Sequence, residues 1–256
     1  MTVPIYTHIR THVSRAGVAD QVLEQIDDVN RIAREQYGLE LLPDVFTSEN
    51  EDPTRADEDV RLGGLIAAHR YRSSGADQFT GFLWFEDDIL IHPESFANAV
   101  HQMLIIRRCI TTFCLLRDSL ADPSAIQDAM TTYQKTGEVT LVPLHGVEKN
   151  RGFHGSMAVY VPEVVVQYLE RHPQQFTSID GAPIERIAPD RERGKTTGFD
   201  FWLKDVSTRI PGTVSPMLAA FPNPVQHRDL PSVTRSLGKT GKPRQPMVTK
   251  YWAGDL

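Results

Sequence analysis

The sequence predicts an α/β protein whose open, mostly parallel sheet is flanked by helices. Segments rich in β-favouring residues alternate with segments of helical periodicity, which is typical of such sheets. The dense run Phe82-Leu83-Trp84-Phe85 suits a strand buried on both faces. The 256 residues are 40% apolar and 23% charged, an ordinary composition for one large domain or two small ones. This composition excludes a coiled coil, a collagen-like fibre and a wholly disordered chain.

The first predicted strand covers residues 3–9, where Val, Ile and Tyr dominate. Apolar residues then recur at helical spacing up to Gly38, a residue that suits the left-handed end of a helix. The elements predicted after the first strand are a helix, a strand and a helix, over residues 22–37, 39–46 and 57–71.

The rest of the chain continues this alternation. A strand is predicted within residues 80–91, and Pro93 opens a helix because proline suits the first helical position. Further strands are predicted over residues 109–116, 139–144 and 155–161, and further helices over residues 123–133, 162–171 and 197–206. Ligands of open α/β sheets bind beyond the carboxyl ends of the strands, so the residues that follow each strand are the candidates for function.

The chain carries no pattern that predicts secretion or membrane insertion. It starts without a basic segment followed by an apolar one, and its apolar runs are far shorter than the ~20 residues that span a bilayer. We therefore expect a cytoplasmic protein with no integral membrane segment. Cys109 and Cys114 lie five residues apart in one apolar segment and would face opposite sides of a strand. We expect them to be reduced core thiols.

The strongest candidate for chemistry is the acidic triad, Glu86-Asp87-Asp88, which directly follows the buried run. Adjacent carboxylates repel one another unless a cation or hydrogen bonds offset their charge. A hard divalent cation with oxygen ligands, Mn²⁺ or Mg²⁺, would do so. On an extended backbone Glu86 and Asp88 would share one face and Asp87 would point the other way. A solvated acidic turn before the helix at Pro93 is the alternative.

Phosphate chemistry is the usual reason for a cation at such a place, because the cation neutralises charge on a leaving group. The chain contains no Gly-rich Walker loop, and no G-x-G-x-x-G motif follows a predicted strand. Nothing therefore indicates a P-loop NTPase or a dinucleotide-dependent enzyme.

A buried strand that ends in Glu-Asp-Asp resembles the DxD-type motif of GT-A nucleotide-sugar glycosyltransferases, whose sheet is Rossmann-like. Inverting enzymes of the N-acetylglucosaminyltransferase I type share the Glu-Asp-Asp form. Residues 198–203, GFDFWL, are similar to the acceptor-side segment that carries the base of inverting members. Residues 223–232 resemble the late P-x-V-Q-H-x-G-x-x-S segment, with Asp229 where a small residue is usual. The resemblance implies a metal-dependent transfer from a nucleotide-sugar, a UDP-sugar by analogy, with inversion.

The resemblance also implies individual roles at the nucleotide end of the site. Asp88 would be the direct metal ligand, and His227 would join the metal or the diphosphate, although a surface histidine is the alternative for His227. Glu86 would act through water or on the nucleotide, and Asp87 on the ribose or donor sugar. The remaining residues implied in nucleotide-sugar binding are Thr7, Arg10 and Thr11 at the end of the first strand, and Gly155 and Ser156 in a Gly-rich turn.

For the acceptor side the resemblance implies that Asp200 is the base that takes the proton of the attacking hydroxyl. The alternative stays open that Asp200 completes a capping box with Thr197. Phe199 and Trp202 would offer a flat apolar surface to a sugar or base, unless they serve as core residues.

The charge is spread unevenly between a main domain, residues 1–227, and a C-terminal segment, residues 228–256. Residues 1–227 carry a net charge of −10, whereas residues 228–250 hold six basic side chains and one acid. Such a tail predicts contact with an anion, in which Lys239, Lys242 and Arg244 would bind the acceptor. Small glycosyltransferases that modify hydroxymethylated pyrimidines in phage DNA share this profile. Hydroxymethylated DNA is therefore one predicted acceptor, and a small molecule, a lipid-linked sugar and a protein stay open as other acceptors. It also stays open that the tail is simply a solvated terminus that binds no acceptor.

Two other functional classes stay open. A nucleotidyltransferase shares the α/β architecture and a metal–carboxylate site, but it usually carries a Gly-rich, Lys-containing first loop that is absent after the first predicted strand. A non-catalytic sugar- or nucleic-acid-binding module would not need the acidic triad.

Overall fold

The computed structural model describes residues 2–48, 56–77, 80–116, 118–145, 157–171, 203, 210, 217–228 and 249–256. In chain order the strands are β1 (Val3–His12), β2 (Leu39–Ser48), β3 (Phe82–Glu86), β4 (Ile89–Ile91), β5 (Thr111–Thr112), β6 (Thr140–Pro143), β7 (Ala158–Val161), β8 (Leu218–Phe221) and β9 (Val225–His227). The helices are α1 (Ala16–Tyr37), α2 (Ala56–Ser73), α3 (Pro93–Ile106), α4 (Pro123–Thr136) and α5 (Glu163–Arg171).

Seven of these strands form one mixed sheet in the order β2-β1-β3-β7-β5-β8-β6. Strands β6 and β7 run against the other five, which share one direction. A second, two-stranded sheet pairs β4 with β9 in antiparallel fashion. The prediction of an α/β protein with a mostly parallel sheet flanked by helices is therefore confirmed.

The apolar run in β3 faces helices on both sides of the sheet. Phe82 and Trp84 lie in one core cluster with residues of α2, α4 and α5. Leu83 and Phe85 point the other way, into a second cluster with α1 and α3. All four side chains are fully buried, because successive residues of a strand alternate between two helix-covered faces.

Local signals set several helix ends as predicted, although α1 begins at Ala16 and not at residue 22. Gly38 ends α1 with a left-handed backbone (φ 63°), and its N–H donates to the Ala33 carbonyl. Pro93 and Pro123 occupy first helical positions. Before α4, Asp122 accepts a hydrogen bond from the Ser124 N–H, which caps that helix.

Several predicted strands differ from the observed ones, among them β2, which runs two residues further than predicted, and β7, which begins only at Ala158. β1 extends to His12 rather than ending at residue 9. The segment 80–91 divides into β3 and β4 because the chain bends at the acidic triad. The strand predicted over 109–116 is reduced to β5. After β5 the Cys114 N–H donates to the Thr112 hydroxyl and the Leu115 N–H to the Asn223 side chain, so neither is available to a neighbouring strand. Cys114 is buried and Cys109 half-buried, and both are free thiols.

Two further predictions concern the later part of the chain. The helix predicted over residues 197–206 lies outside the described residues except for Leu203, which is buried in the core. The last residues of the predicted C-terminal segment lie against the main body, where Tyr251 packs edge-on against Phe221 at 5.9 Å. The Thr249 N–H also donates to the Gln226 side chain, next to β9. Among the described residues, no helix combines the length and the apolar character that crossing a bilayer demands.

The edge strand β2 is tied to α1 by one buried side chain. Asn30 donates to the Leu41 carbonyl at 2.9 Å and accepts from the Leu41 N–H at 2.7 Å. We expect Asn30→Ala to lower the free energy of unfolding by about 2 kcal/mol, because it removes two hydrogen bonds of ~1 kcal/mol each. Urea denaturation measures this change. Gln36→Ala, at an exposed position of α1, is the control, and equal stability of the two variants would contradict the prediction.

Candidate functional site

Polar side chains gather where β1 and β3 end side by side. The two strands are parallel neighbours, with Arg10 opposite Glu86. Strand β2 lies on one side of β1 and β3 on the other. The gap between β1 and β3 is therefore a topological switch point, where open α/β sheets usually bind their ligands.

Asp87 fixes the end of β1 to the start of α1. Its carboxylate accepts a hydrogen bond of 2.6 Å from the Thr11 hydroxyl and one of 3.1 Å from the Arg15 guanidinium. The residue is 5% exposed. Because each oxygen of Asp87 has a donor, this carboxylate serves to position neighbouring groups.

Asp88 is the residue on which distant parts of the chain converge. Its Oδ2 lies 3.3 Å from Arg15 Nη1 and 3.4 Å from His227 Nε2. The antiparallel pairing of β4 with β9 places His227 there, opposite Ile89. The Arg228 N–H also donates to the Asp88 carbonyl at 2.7 Å. Asp88 Oδ1 is buried and has no hydrogen-bond partner within the described parts of the chain.

The carboxyl groups of Glu86 and Asp88 have opposite pKa shifts. Burial, and secondarily the negative charge of Asp88, raise the pKa of the Glu86 carboxyl to about 7. Burial also acts to raise the pKa of Asp88. The hydrogen bond and charge of His227, together with Arg15, outweigh this effect and hold the pKa of Asp88 below its usual range. Near neutral pH Asp88 is therefore charged, whereas Glu86 is only partly ionised.

The observed geometry corrects two expectations about the triad. The prediction that Asp87 points away from Asp88 was wrong, because Arg15 contacts both carboxylates. Strand β3 ends at Glu86 and the chain bends over the next two residues, so the alternation of an extended backbone stops there. The alternative of a solvated acidic turn is also wrong, since Asp87 and Asp88 are only 5% and 7% exposed.

The three candidate residues of β1 are not equivalent in position. Thr11 joins the cluster through Asp87. Arg10 lies on the opposite face of β1, across from Glu86, and its Nε is buried with no hydrogen-bond partner among the residues described. Thr7 lies within β1, not at its end, because the strand runs to His12; its hydroxyl donates to the Ile5 carbonyl of the same strand at 3.4 Å.

The remaining candidates lie outside the described residues: Gly155, Ser156, Phe199, Asp200, Trp202, Lys239, Lys242 and Arg244. Two residues that directly follow these candidates are described. The carbonyl of Met157, which follows Ser156, accepts a hydrogen bond of 2.9 Å from the Glu86 N–H. Leu203, which follows Trp202, is fully buried.

Arg15 is the residue of the site that sequence reasoning missed. It immediately precedes α1, where the positive end of the helix dipole disfavours a cation. A basic residue at that position needs a nearby anion, and Asp87 and Asp88 supply it. This signal depends on α1 beginning at Ala16, whereas the apolar spacing predicts a helix only from residue 22, so it was hidden at the sequence level.

We asked whether these side chains fit a divalent cation. The described residues contain no group of three or more His, Cys, Asp or Glu side chains arranged as a metal centre. However, Mg²⁺ and Mn²⁺ at phosphate sites are commonly held by one or two carboxylates, with water and substrate oxygens as the other ligands. The unpartnered, buried Oδ1 of Asp88 and the nearby His227 imidazole fit a cation of that kind.

Comparisons with protein-family models, with curated proteins and with solved structures found no match for this chain.

Proposed function

We propose that this chain is a metal-dependent glycosyltransferase of the GT-A type, which moves a sugar from a nucleotide-sugar to an acceptor hydroxyl. The observation that carries the proposal is the convergence on Asp88 of Arg15, at the start of the chain, and His227, near its end. Two segments that resemble parts of one family motif set, the acidic triad and residues 223–232, thus supply a shared site. The position of this site at the switch point between β1 and β3 supports a nucleotide ligand.

The roles proposed for the described residues agree with their contacts, and the role of Asp200 comes from the resemblance alone. Asp88 and His227 would hold the divalent cation, which when bound neutralises charge on the leaving diphosphate. Asp87 keeps Thr11 and Arg15 in place. Arg10 and Arg15 add positive charge around the phosphates. Asp200 would take the proton of the acceptor hydroxyl, and a single base favours inversion.

The donor and acceptor are proposed by class. The resemblance of the acidic triad to the DxD-type motif implies that the donor is a UDP-sugar. The proposed place of action is the cytoplasm. The net charge of +5 on residues 228–250 supports an anionic acceptor, and DNA that carries hydroxymethylated pyrimidines is the one we favour. Lys239, Lys242 and Arg244 would contact its phosphates, with Phe199 and Trp202 next to the modified base.

A donor screen tests the proposed class. The thermal melting of the protein is followed with UDP-, GDP- and CMP-sugars, with and without Mn²⁺, and the same mixtures are assayed for sugar release and for transfer to hydroxymethylated DNA. We expect Mn²⁺-dependent stabilisation and turnover with one sugar nucleotide. Release of diphosphate when a nucleoside triphosphate replaces the sugar nucleotide would instead indicate a nucleotidyltransferase. Binding without any turnover would indicate a non-catalytic module.

The basic tail gives a separate prediction. Replacing Lys239, Lys242 and Arg244 by Gln should weaken DNA binding at low salt, because phosphate contacts release counterions. The slope of log K against log salt concentration should flatten by about 0.9 for each phosphate neutralised by a replaced side chain in duplex DNA, and by about 0.7 in single strands. A salt titration with DNA containing hydroxymethylated pyrimidines measures the slope.

Lys250 offers the control for the tail. Its ammonium lies 3.6 Å from Asp118 Oδ2 and 4.9 Å from the centre of the Tyr251 ring. Lys250→Gln removes one charge from a side chain that already has partners, so its salt slope should match that of the wild type. If the wild type and the triple variant have equal slopes, the tail side chains do not contact the phosphates of the acceptor.

A further inference from the structure

A positively charged side chain, that of Arg15, already lies beside the acidic triad. The Arg15 guanidinium lies within 3.1 Å of Asp87 and 3.3 Å of Asp88, and its side chain is only 13% exposed. On Asp88 it contacts Oδ2, the oxygen that His227 also approaches. A divalent cation that binds Asp88 therefore meets a positive charge that is already in place.

The position of Arg15 is built into the fold at the start of α1. Residues Val13–Arg15 form a short 3-10 helix between β1 and α1. The Thr11 hydroxyl contacts both the Arg15 carbonyl, at 3.4 Å, and Asp87. The side chain thus lies between the two acids and the positive end of a 22-residue helix, a place that attracts phosphate groups.

We propose that Arg15 couples the binding of the divalent cation to the binding of the nucleotide. Without nucleotide, the guanidinium neutralises Asp88 and weakens cation binding. A nucleoside diphosphate gives the guanidinium a bidentate partner, and Asp88 then becomes available to the cation. This inference rests on the proposed function, because it takes from it the cation and the diphosphate.

Three physical points support this exchange. Two cations on one carboxylate repel each other, and the repulsion is strong in a buried site. Arginine binds phosphate oxygens through two parallel hydrogen bonds and can replace one anionic partner by another. The second oxygen of Asp88, Oδ1, is buried and lacks a hydrogen-bond partner in the described portion of the chain, so a ligand position stays open beside the one that Arg15 fills.

Titration with Mn²⁺ tests the coupling without any catalytic assay. Electron paramagnetic resonance measures free Mn²⁺ in the presence of the wild type, Arg15→Gln and Arg15→Lys, each with and without saturating UDP. Without UDP, Arg15→Gln should bind Mn²⁺ at least about fivefold more tightly than the wild type, the low end of couplings between sites. UDP should strengthen Mn²⁺ binding by the wild type much more than by Arg15→Gln. Arg15→Lys, which keeps the charge, should bind Mn²⁺ weakly without UDP, as the wild type does.

Arg31→Gln is the matched control, because it removes the same charge from an exposed side chain that pairs only locally with Asp28 among the described residues. It lies about 22 Å from the start of α1, at 1.5 Å per residue, and should leave Mn²⁺ binding unchanged. Circular dichroism melting checks that each variant is folded.

The results separate this inference from the proposed function. If folded Arg15→Gln binds Mn²⁺ no more tightly than the wild type, while Asp88→Ala abolishes binding, the coupling is refuted and the metal site stands. If the wild type binds no Mn²⁺ even with UDP, the coupling is refuted together with the metal site. If the expected Mn²⁺ affinities are found but no sugar is transferred, the coupling stands and the proposed transfer fails.

Discussion

Asp88→Ala is expected to abolish the Mn²⁺-dependent binding of the nucleotide-sugar while leaving the protein folded. The lowered pKa of Asp88 keeps its carboxylate charged, and its buried Oδ1 is the open ligand position. Changes in groups that merely orient a metal ligand cost 10- to 100-fold in affinity. Removal of the ligand itself should therefore weaken donor binding in the presence of Mn²⁺ by more than about 100-fold. Isothermal titration calorimetry with and without Mn²⁺ measures the effect.

Two variants control this experiment. Asp128→Ala removes a carboxylate from an exposed position of α4 and should leave donor binding unchanged. Glu86→Ala should be milder than Asp88→Ala, because Glu86 is implied to act through water and its raised pKa of about 7 leaves it only partly charged near pH 7. If the Mn²⁺-dependent affinity of Asp88→Ala equals that of the wild type, the metal site is refuted.

Much of the fold could be predicted because its strongest signals are local. The apolar run of β3, the Gly38 stop and the proline starts of α3 and α4 depend on neighbouring residues, and the structure has each of them. One failure occurs where a distant side chain takes part. Nothing near Leu115 indicates that Asn223 takes its N–H, 108 positions along the chain, so a longer β5 was predicted.

The site was predicted in part for the same reason. The abrupt change from a buried run to three acids is local and identified the triad. The partners of Asp88 depend on tertiary structure, since His227 arrives only through the β4–β9 pairing and Arg15 through the turn after β1. An isolated arginine resembles any exposed arginine, and only its unfavourable place before α1 distinguishes it.

Asp200→Asn is expected to bind the nucleotide-sugar and Mn²⁺ almost normally but to transfer sugar about 10²- to 10⁴-fold more slowly, the usual cost of removing a general base. The amide is nearly isosteric with the carboxylate but cannot accept the proton of the attacking hydroxyl. Steady-state transfer rates and donor calorimetry on the same preparation separate the two effects.

The choice of Asn also decides between the two interpretations of Asp200. If Asp200 completes a capping box with Thr197, the variant should transfer sugar at the wild-type rate and melt at a slightly lower temperature. The amide oxygen can still accept the capping hydrogen bond, so only the charge–dipole interaction, about 0.3–1 kcal/mol, is lost. Asp205→Asn, five positions further along the same segment, removes the same charge and should keep the wild-type transfer rate. Slow transfer by Asp200→Asn alone, with unchanged melting, would assign the base; a rate equal to that of Asp205→Asn would refute that role.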